Sequence, residues 1–248
     1  MKIAVCFKIV TDFDQVPSET WNGPRSRDFK YVKKGFGFFD EGALEAALRV
    51  KDEMPDTYIE AISYGEEDTY FTELLYAAGF NHVEYLNGKS SEFSSMDTAK
   101  ALAWYLEARN FDFILPGEMV GPNDTGSVPY YLAKYLYLGV IDRITDVYVK
   151  DGQVIIERET DAKSEKYWLM PGKSEQIIGI VSNAKHPYLR WSTFKAREIA
   201  KGMKGESIPV QIKFEPAKLK LVEAKGREVK VEFIDSEKLL EFLREDGD

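Results

Sequence analysis

A single cysteine, Cys6, is all the thiol that 248 residues contain. That excludes an internal disulfide and any Cys-x-x-Cys redox or zinc motif. Histidine is nearly as scarce: His82 and His186 are the only two, too far apart for metal-ligand spacing. His82 opens an apparent strand and reads as a surface residue. Long apolar runs are also missing, since none approaches the roughly 20 residues that span a bilayer. Met1-Lys2 leads straight into Ile3-Ala4-Val5-Cys6-Phe7, too short for a signal-peptide core and without a small-residue cleavage site. A cytoplasmic location with no membrane insertion is expected. Positive charge is in deficit, with 33 Lys and Arg against 42 Asp and Glu and a net charge of -9. A general nucleic-acid binder needs a basic face, so no nucleic-acid partner is expected. There is no internal repeat, no Ser/His/Asp or Cys/His set, and hence no expected catalytic residue or metal site.

What the chain does have is 44% hydrophobic residues against 30% charged, enough for one sizeable core and a small appended arm. Residues 3–7 form a continuous apolar run, as a parallel strand buried on both faces requires. Cys6 lies inside it and reads as a small buried hydrophobe. The spacing then predicts a helix over 40–53, with Leu44, Ala47 and Leu48 on one stripe, and a strand over 58–63. A second helix follows over 69–78, closed by Gly79. A strand over 82–86, a helix over 94–108, a strand over 112–116 and a helix over 124–138 complete the alternation. Such βαβα order predicts a doubly wound, mostly parallel α/β sheet of the nucleotide-binding type, with helices on both faces. Its ligand would sit beyond the carboxyl ends of the strands, where strand order reverses.

After Ile144 the pattern changes. Val147-Tyr148-Val149, Asp151-Gly152 and Val154-Ile155-Ile156 read as strand, tight turn and strand. Strands are also expected over 166–170 and 176–181. Residues 202–226, rich in Lys, Pro and Gly, read as an extended arm. Ser236 caps a last amphipathic helix carrying Leu239, Leu240 and Leu243. The expected organisation is an α/β domain over 1–200 and an arm and helix over 201–248 that contact a partner.

The chemistry-bearing stretch is Pro116-Gly117-Glu118-Met119-Val120-Gly121-Pro122-Asn123-Asp124-Thr125-Gly126-Ser127. It joins a buried strand to a helix, and its glycines permit close approach of a ligand. Asp124, Thr125 and Ser127 can cap the helix, whose free first-turn amides form an anion site. A phosphate cradle and an ordinary capped helix both fit, because neither the GxGxxG order nor a Walker lysine is present. Ser63-Tyr64-Gly65 ends the second strand and could face an adenine or ribose, or simply turn the chain.

Several segments in order resemble the electron-transfer flavoprotein β-subunit family. Residues 2–13, Lys-Ile-Ala-Val-Cys-Phe-Lys-Ile-Val-Thr-Asp-Phe, are similar to that family's first strand and following loop. Phe39-Asp40-Glu41-Gly42-Ala43-Leu44-Glu45-Ala46-Ala47-Leu48-Arg49 resembles its first helix, and Ser63-Tyr64-Gly65 its second strand end. Ala77-Ala78-Gly79-Phe80 resembles its alanine–methionine–glycine–alanine helix end. Asn123-Asp124-Thr125-Gly126-Ser127-Val128 resembles its Gly-Asp-Thr-Gly/Ala-Gln-Val signature. Lys195-Ala196-Arg197, after Pro187, resembles the basic tail of its docking loop. Together the segments cover roughly residues 1–200.

The resemblance implies an electron-carrier subunit rather than a free-standing enzyme. It implies an AMP, or in bifurcating members a second FAD, in this chain, and a further FAD held mainly by an α subunit. An acyl-CoA or other dehydrogenase would donate the electrons. The adenine nucleotide is expected among Cys6, Phe7, Lys8, Ser63, Tyr64, Gly65, Gly117 and residues Asn123, Asp124, Thr125, Gly126, Ser127 and Val128. Phe13 is expected near the α-bound flavin. Leu189 or Trp191 would anchor a docking loop flanked by Lys195 and Arg197. The family's turn asparagine and proline fall on Gly37 and Phe38, the acidic residue before its signature on Pro122, and the signature glutamine on Ser127. The alternative is a stand-alone adenine-nucleotide-binding module of stress-protein type, whose phosphate loop would carry more glycines. An adenylating or amidotransferring enzyme ranks behind it, since Lys8-Ile9-Val10-Thr11 stands where a Ser-Gly-Gly loop would be needed.

Overall fold

The computed structural model describes residues 1–12, 32–88, 94–120, 125–169 and 176–210. The chain opens with strand β1 (Lys2–Phe7), five of whose six residues are buried. Short β2 (Ile9–Thr11) and β3 (Lys34–Phe36) pair antiparallel as a separate ladder. Helix α1 (Phe38–Glu53) carries Asp40 and Glu41 in its first turn and Lys51 in its last, the arrangement the helix dipole favours. Strand β4 (Tyr58–Tyr64) leads to α2 (Thr69–Ala78). The Asp68 carboxylate caps α2 by accepting the Tyr70 amide at 3.2 Å. The helix stops on Gly79 at φ 118°, left-handed backbone that glycine adopts without a Cβ penalty.

Strand β5 (His82–Asn87) is followed by α3 (Ser95–Glu107), capped by the Ser94 hydroxyl, which accepts the Asp97 amide at 3.2 Å. Such a cap stabilises a helix by about 1 kcal/mol. Strand β6 (Phe113–Pro116) then precedes α4 (Val128–Leu136), which starts four residues later than the sequence suggests. Gly126 at φ 60° cannot belong to a right-handed helix, and Pro129 favours the first turn that follows it.

The second half holds β7 (Gly139–Lys150), β8 (Gln153–Glu159), β9 (Ser164–Leu169), β10 (Ile177–Val181), α5 (Phe194–Ala200) and β11 (Glu206–Pro209). The β7–β8 turn has positive φ at both Asp151 and Gly152, as a two-residue hairpin matching the twist of its strands requires. The expected hairpin was the visible end of a longer strand. The first part of β7 pairs parallel with β10, then Arg143 turns left-handed at φ 53° and the register shifts between Ile144 and Asp146. That bulge breaks the apolar alternation from which a strand is read.

The main sheet runs in the order β11-β5-β4-β1-β6-β10-β7-β8-β9. Pairs from β11 to β7 are parallel and the β7–β8 and β8–β9 pairs antiparallel. This is a mixed α/β fold on a large, mostly parallel sheet, with five helices among the described residues. One apolar cluster joins Ile3, Val5 and Phe113 to Leu44 and Leu48 of α1 and Leu75 of α2. Another joins Ala4, Cys6 and Ile114 to Leu102 and Leu106 of α3 and Leu132 of α4. Alternate β1 side chains thus enter opposite cores. The expected arm is corrected at its start: residues 206–209 are β11, which pairs parallel with β5 and widens the chain's own sheet. Residues 211–226 and the expected helix over 236–243 lie outside the described residues.

Candidate functional site

Strand order reverses at β1. The chain moves from β1 to β4 and β5 on one side, then returns to β6 on the other. Beyond the carboxyl ends of β1 and β6 lies the position where open α/β sheets take their ligands. Asp40, in the first turn of α1, stands at that seam and is buried. Its Oδ2 accepts the Lys8 amide at 2.9 Å just past β1, and its carboxylate also accepts the Gly117 amide just past β6. A Cβ at Gly117 would come within 2.3 Å of Asp40 Oδ1, and one at Gly37 within 2.5 Å of Oδ2. Both glycines are therefore set by the approach of this carboxylate. Burial pushes Asp40 up to about 7, against the two backbone hydrogen bonds and the Lys8 charge, which pull it down.

Next to this seam, two helix starts converge on the face where α3 and α4 pack side by side. The Ser95 hydroxyl lies 2.9 Å from that of Thr125, and Thr125 lies 2.9 Å from Ser127. Ser127 occupies the N-cap position of α4 but makes no capping bond, so its side chain leaves the first-turn amides uncapped. Three linked hydroxyls between the positive ends of two helix dipoles make a surface suited to an anion. Ser95 escaped the sequence reading, because only the packing of α3 on α4 brings it to Thr125.

The expected ligand residues divide by what their side chains can reach. Cys6 and Phe7 are buried in opposite cores, and the Cys6 thiol is pushed up to about 12 by burial and then by the Asp40 charge. Only their backbone can face a ligand. Ser63 is buried, Tyr64 is half-buried, and the Gly65 amide donates to Leu86 at 3.1 Å, closing the strand end. Thr125 is exposed, and Gly126, Ser127 and Val128 are half-buried. Asn123, Asp124 and Phe13 lie outside the described residues.

A second surface runs along the outside of α1. The Leu189 amide donates to Glu41 at 3.0 Å, and the Arg190 guanidinium binds Glu45 at 2.7 Å and Asp52 at 2.6 Å. Glu41 is raised by burial against the Leu189 hydrogen bond, and Arg190 is raised by its hydrogen bond to Glu45. The loop is thereby fastened to α1 at three points along the helix. Of the two expected anchors, Leu189 packs on the core while Trp191 is 89% exposed. Arg197, from α5, lies over the Trp191 ring at 5.6 Å, and Lys195 is exposed. Phe38, Tyr188 and Phe194 are exposed as well, although the sequence did not single them out. A cleft of about 220 Å³ opens between Phe38 and Gly42 of α1 and Ser182, Asn183, Ala184 and Pro187. No described helix is long and apolar enough to cross a membrane.

The frame is thus a mostly parallel α/β sheet whose strand order reverses at β1, with an outer loop ion-paired to its first helix. Residues 33–208 match the family model described as the electron transfer flavoprotein domain. The chain belongs to the electron transfer flavoprotein β-subunit family, whose members are flavin-associated electron carriers. It is 28% identical over 167 residues to the caffeyl-CoA reductase-Etf complex subunit CarD of Acetobacterium woodii, covering 65% of this chain and 62% of that relative. It is 27% identical over 211 residues to the electron transfer flavoprotein subunit beta of Megasphaera elsdenii, covering 81% of this chain and 75% of that protein.

Proposed function

We propose that this chain is the β subunit of a heterodimeric electron transfer flavoprotein. It holds an adenine nucleotide, AMP before FAD, and supports an FAD bound mainly by an α subunit. The observation that carries the nucleotide reading is the Ser95–Thr125–Ser127 hydroxyl chain between the starts of α3 and α4. A phosphate there would accept from the hydroxyls and from α4 first-turn amides, with bonds strengthened by its charge. The adenine edge would lie against the backbone of Cys6, Phe7 and Lys8 and of Ser63, Tyr64 and Gly65, since the buried thiol and ring cannot turn outward. Gly117 and residues 123–124 would complete the wall, with Phe13 toward the flavin.

The exposed aromatic surface around Trp191 is the proposed docking face, with Lys195 and Arg197 as its charged rim. The relative named as part of a caffeyl-CoA reductase–Etf complex supports a partner that handles CoA esters, an acyl-CoA-type dehydrogenase. Denaturing the purified heterodimer and quantifying released nucleotides by chromatography tests the assignment. One FAD and one AMP per heterodimer is expected. Two FAD would replace AMP by a second flavin and mark a bifurcating type, and one FAD without AMP would refute the nucleotide assignment.

A further inference from the structure

The opposite end of the sheet, at the amino ends of β4, β5 and β11, holds a cluster that the strand-end crevice does not use. His82 and Glu84 are two apart on β5, so their side chains share one face. The register sets His82 beside Glu60 of β4 and Glu84 beside Glu206 of β11. Tyr105 of α3 covers them: its hydroxyl donates to Glu60 and lies 3.1 Å from Glu84 Oε2. One phenol proton cannot serve both carboxylates at once. Glu84 is fully buried, and its other oxygen, Oε1, has no hydrogen-bond partner among the described residues. Arg109 stacks on the Tyr105 ring at 3.5 Å, and its guanidinium bonds the Tyr105 carbonyl. His82 Nε2 lies 3.4 Å from Glu84 Oε2, so three carboxylates and a histidine crowd one half-buried spot with an acceptor left over, an arrangement that can hold a cation.

His82, Glu84 and Glu206 each offer one ligand atom, and the three atoms lie within 4.8 Å of one another. Donors held tetrahedrally about 2.0–2.2 Å from one ion lie about 3.3–3.6 Å apart, close to the separation of His82 Nε2 and Glu84 Oε2. Glu206 is exposed at the head of β11, so its side chain can swing toward that pair. We propose that His82, Glu84 and Glu206 bind one first-row divalent cation, zinc first, which fastens edge strand β11 to the sheet. A mixed nitrogen and oxygen set of three with water in the fourth position suits tetrahedral zinc, whereas magnesium and calcium favour all-oxygen shells.

The full-length protein, stripped with chelator, equilibrated with zinc sulfate and desalted, is analysed for metal by atomic emission and melted with and without zinc. One zinc per chain and a raised Tm are expected. His82→Asn and Glu206→Gln, both at accessible positions, should each weaken zinc binding at least tenfold and abolish the Tm rise while the far-UV spectrum stays unchanged. No retained zinc, preferential retention of magnesium or calcium, or equal zinc retention in both variants would overturn the site.

Discussion

Asp40→Asn isolates the carboxylate that ties β1 and β6 to the start of α1. Asp40 ionises at about 7 in the folded chain instead of 3.8, so the folded chain holds that proton more tightly than the unfolded chain does. Its contribution to stability is therefore complete below about pH 4 and is lost as pH rises through about 7. The difference between 3.8 and about 7, at 1.36 kcal/mol per pH unit, sets a cost of about 4 kcal/mol for the buried charge at pH 8. At pH 5 the same relation leaves a cost of only about 1.6 kcal/mol.

Asparagine removes that charge but offers one acceptor to the Lys8 and Gly117 amides in place of two. An amide left facing a donor costs about 1–3 kcal/mol at any pH. The variant should therefore come within about 1.5 kcal/mol of the wild type at pH 5 and exceed it by roughly 1–3 kcal/mol at pH 8. Urea unfolding followed by circular dichroism across this range measures the gap between the two profiles, which should change by about 3 kcal/mol. Parallel profiles would mean that Asp40 does not titrate in this window and that burial does not govern it.

Arg190→Ala leaves the Glu45 carboxylate, otherwise buried, without its guanidinium, and part-exposure of the arginine limits the expected loss to about 1–3 kcal/mol in urea unfolding. Arg190→Lys should recover less than half, since a single ammonium cannot fork across Glu45 and Asp52, and full recovery would show that charge alone fastens the loop. Trp191→Ala should change stability by less than about 0.5 kcal/mol, as an exposed ring does. The same variant should slow electron transfer from the donor dehydrogenase at limiting concentration by about tenfold, and equal rates would remove Trp191 from the interface.

How far the fold could be read depended on whether its signal was local. The run from Ile3 to Phe7, the α1 stripe and Gly79 each state their structure within one or two turns of chain, and the sheet's core follows from them. Strand β7 does not, because Asp142, Arg143 and Asp146 interrupt its apolar run and serve contacts elsewhere. Arg158 binds Asp142 at 2.8 Å and Arg49 binds Asp146 at 2.5 Å. Residues 202–210 misled in the opposite sense. Their Lys content matches an edge strand as well as an arm, and only the pairing of residues 206–209 with β5 decides between them.

The site divides along the same line. Thr125, Gly126 and Ser127 could be nominated because a loop between a buried strand and a helix advertises itself in sequence. Asp40 could not, since it shares its first-turn position with Glu41, and carboxylates at helix starts are ordinarily solvated dipole partners. What separates the two is the return of β6 beside β1, which brings Gly117 onto Asp40 and leaves Glu41 to reach Leu189. The pairing of glycines at 37 and 117 is the trace this leaves in the sequence, but it becomes a signal only once both are seen to border one carboxylate. His82 and Glu84 show the converse. In sequence His82 read only as a surface residue opening a strand, and its neighbour Glu206 comes from a strand that joins the sheet at its far edge. A cluster assembled by strand order alone leaves no spacing to read.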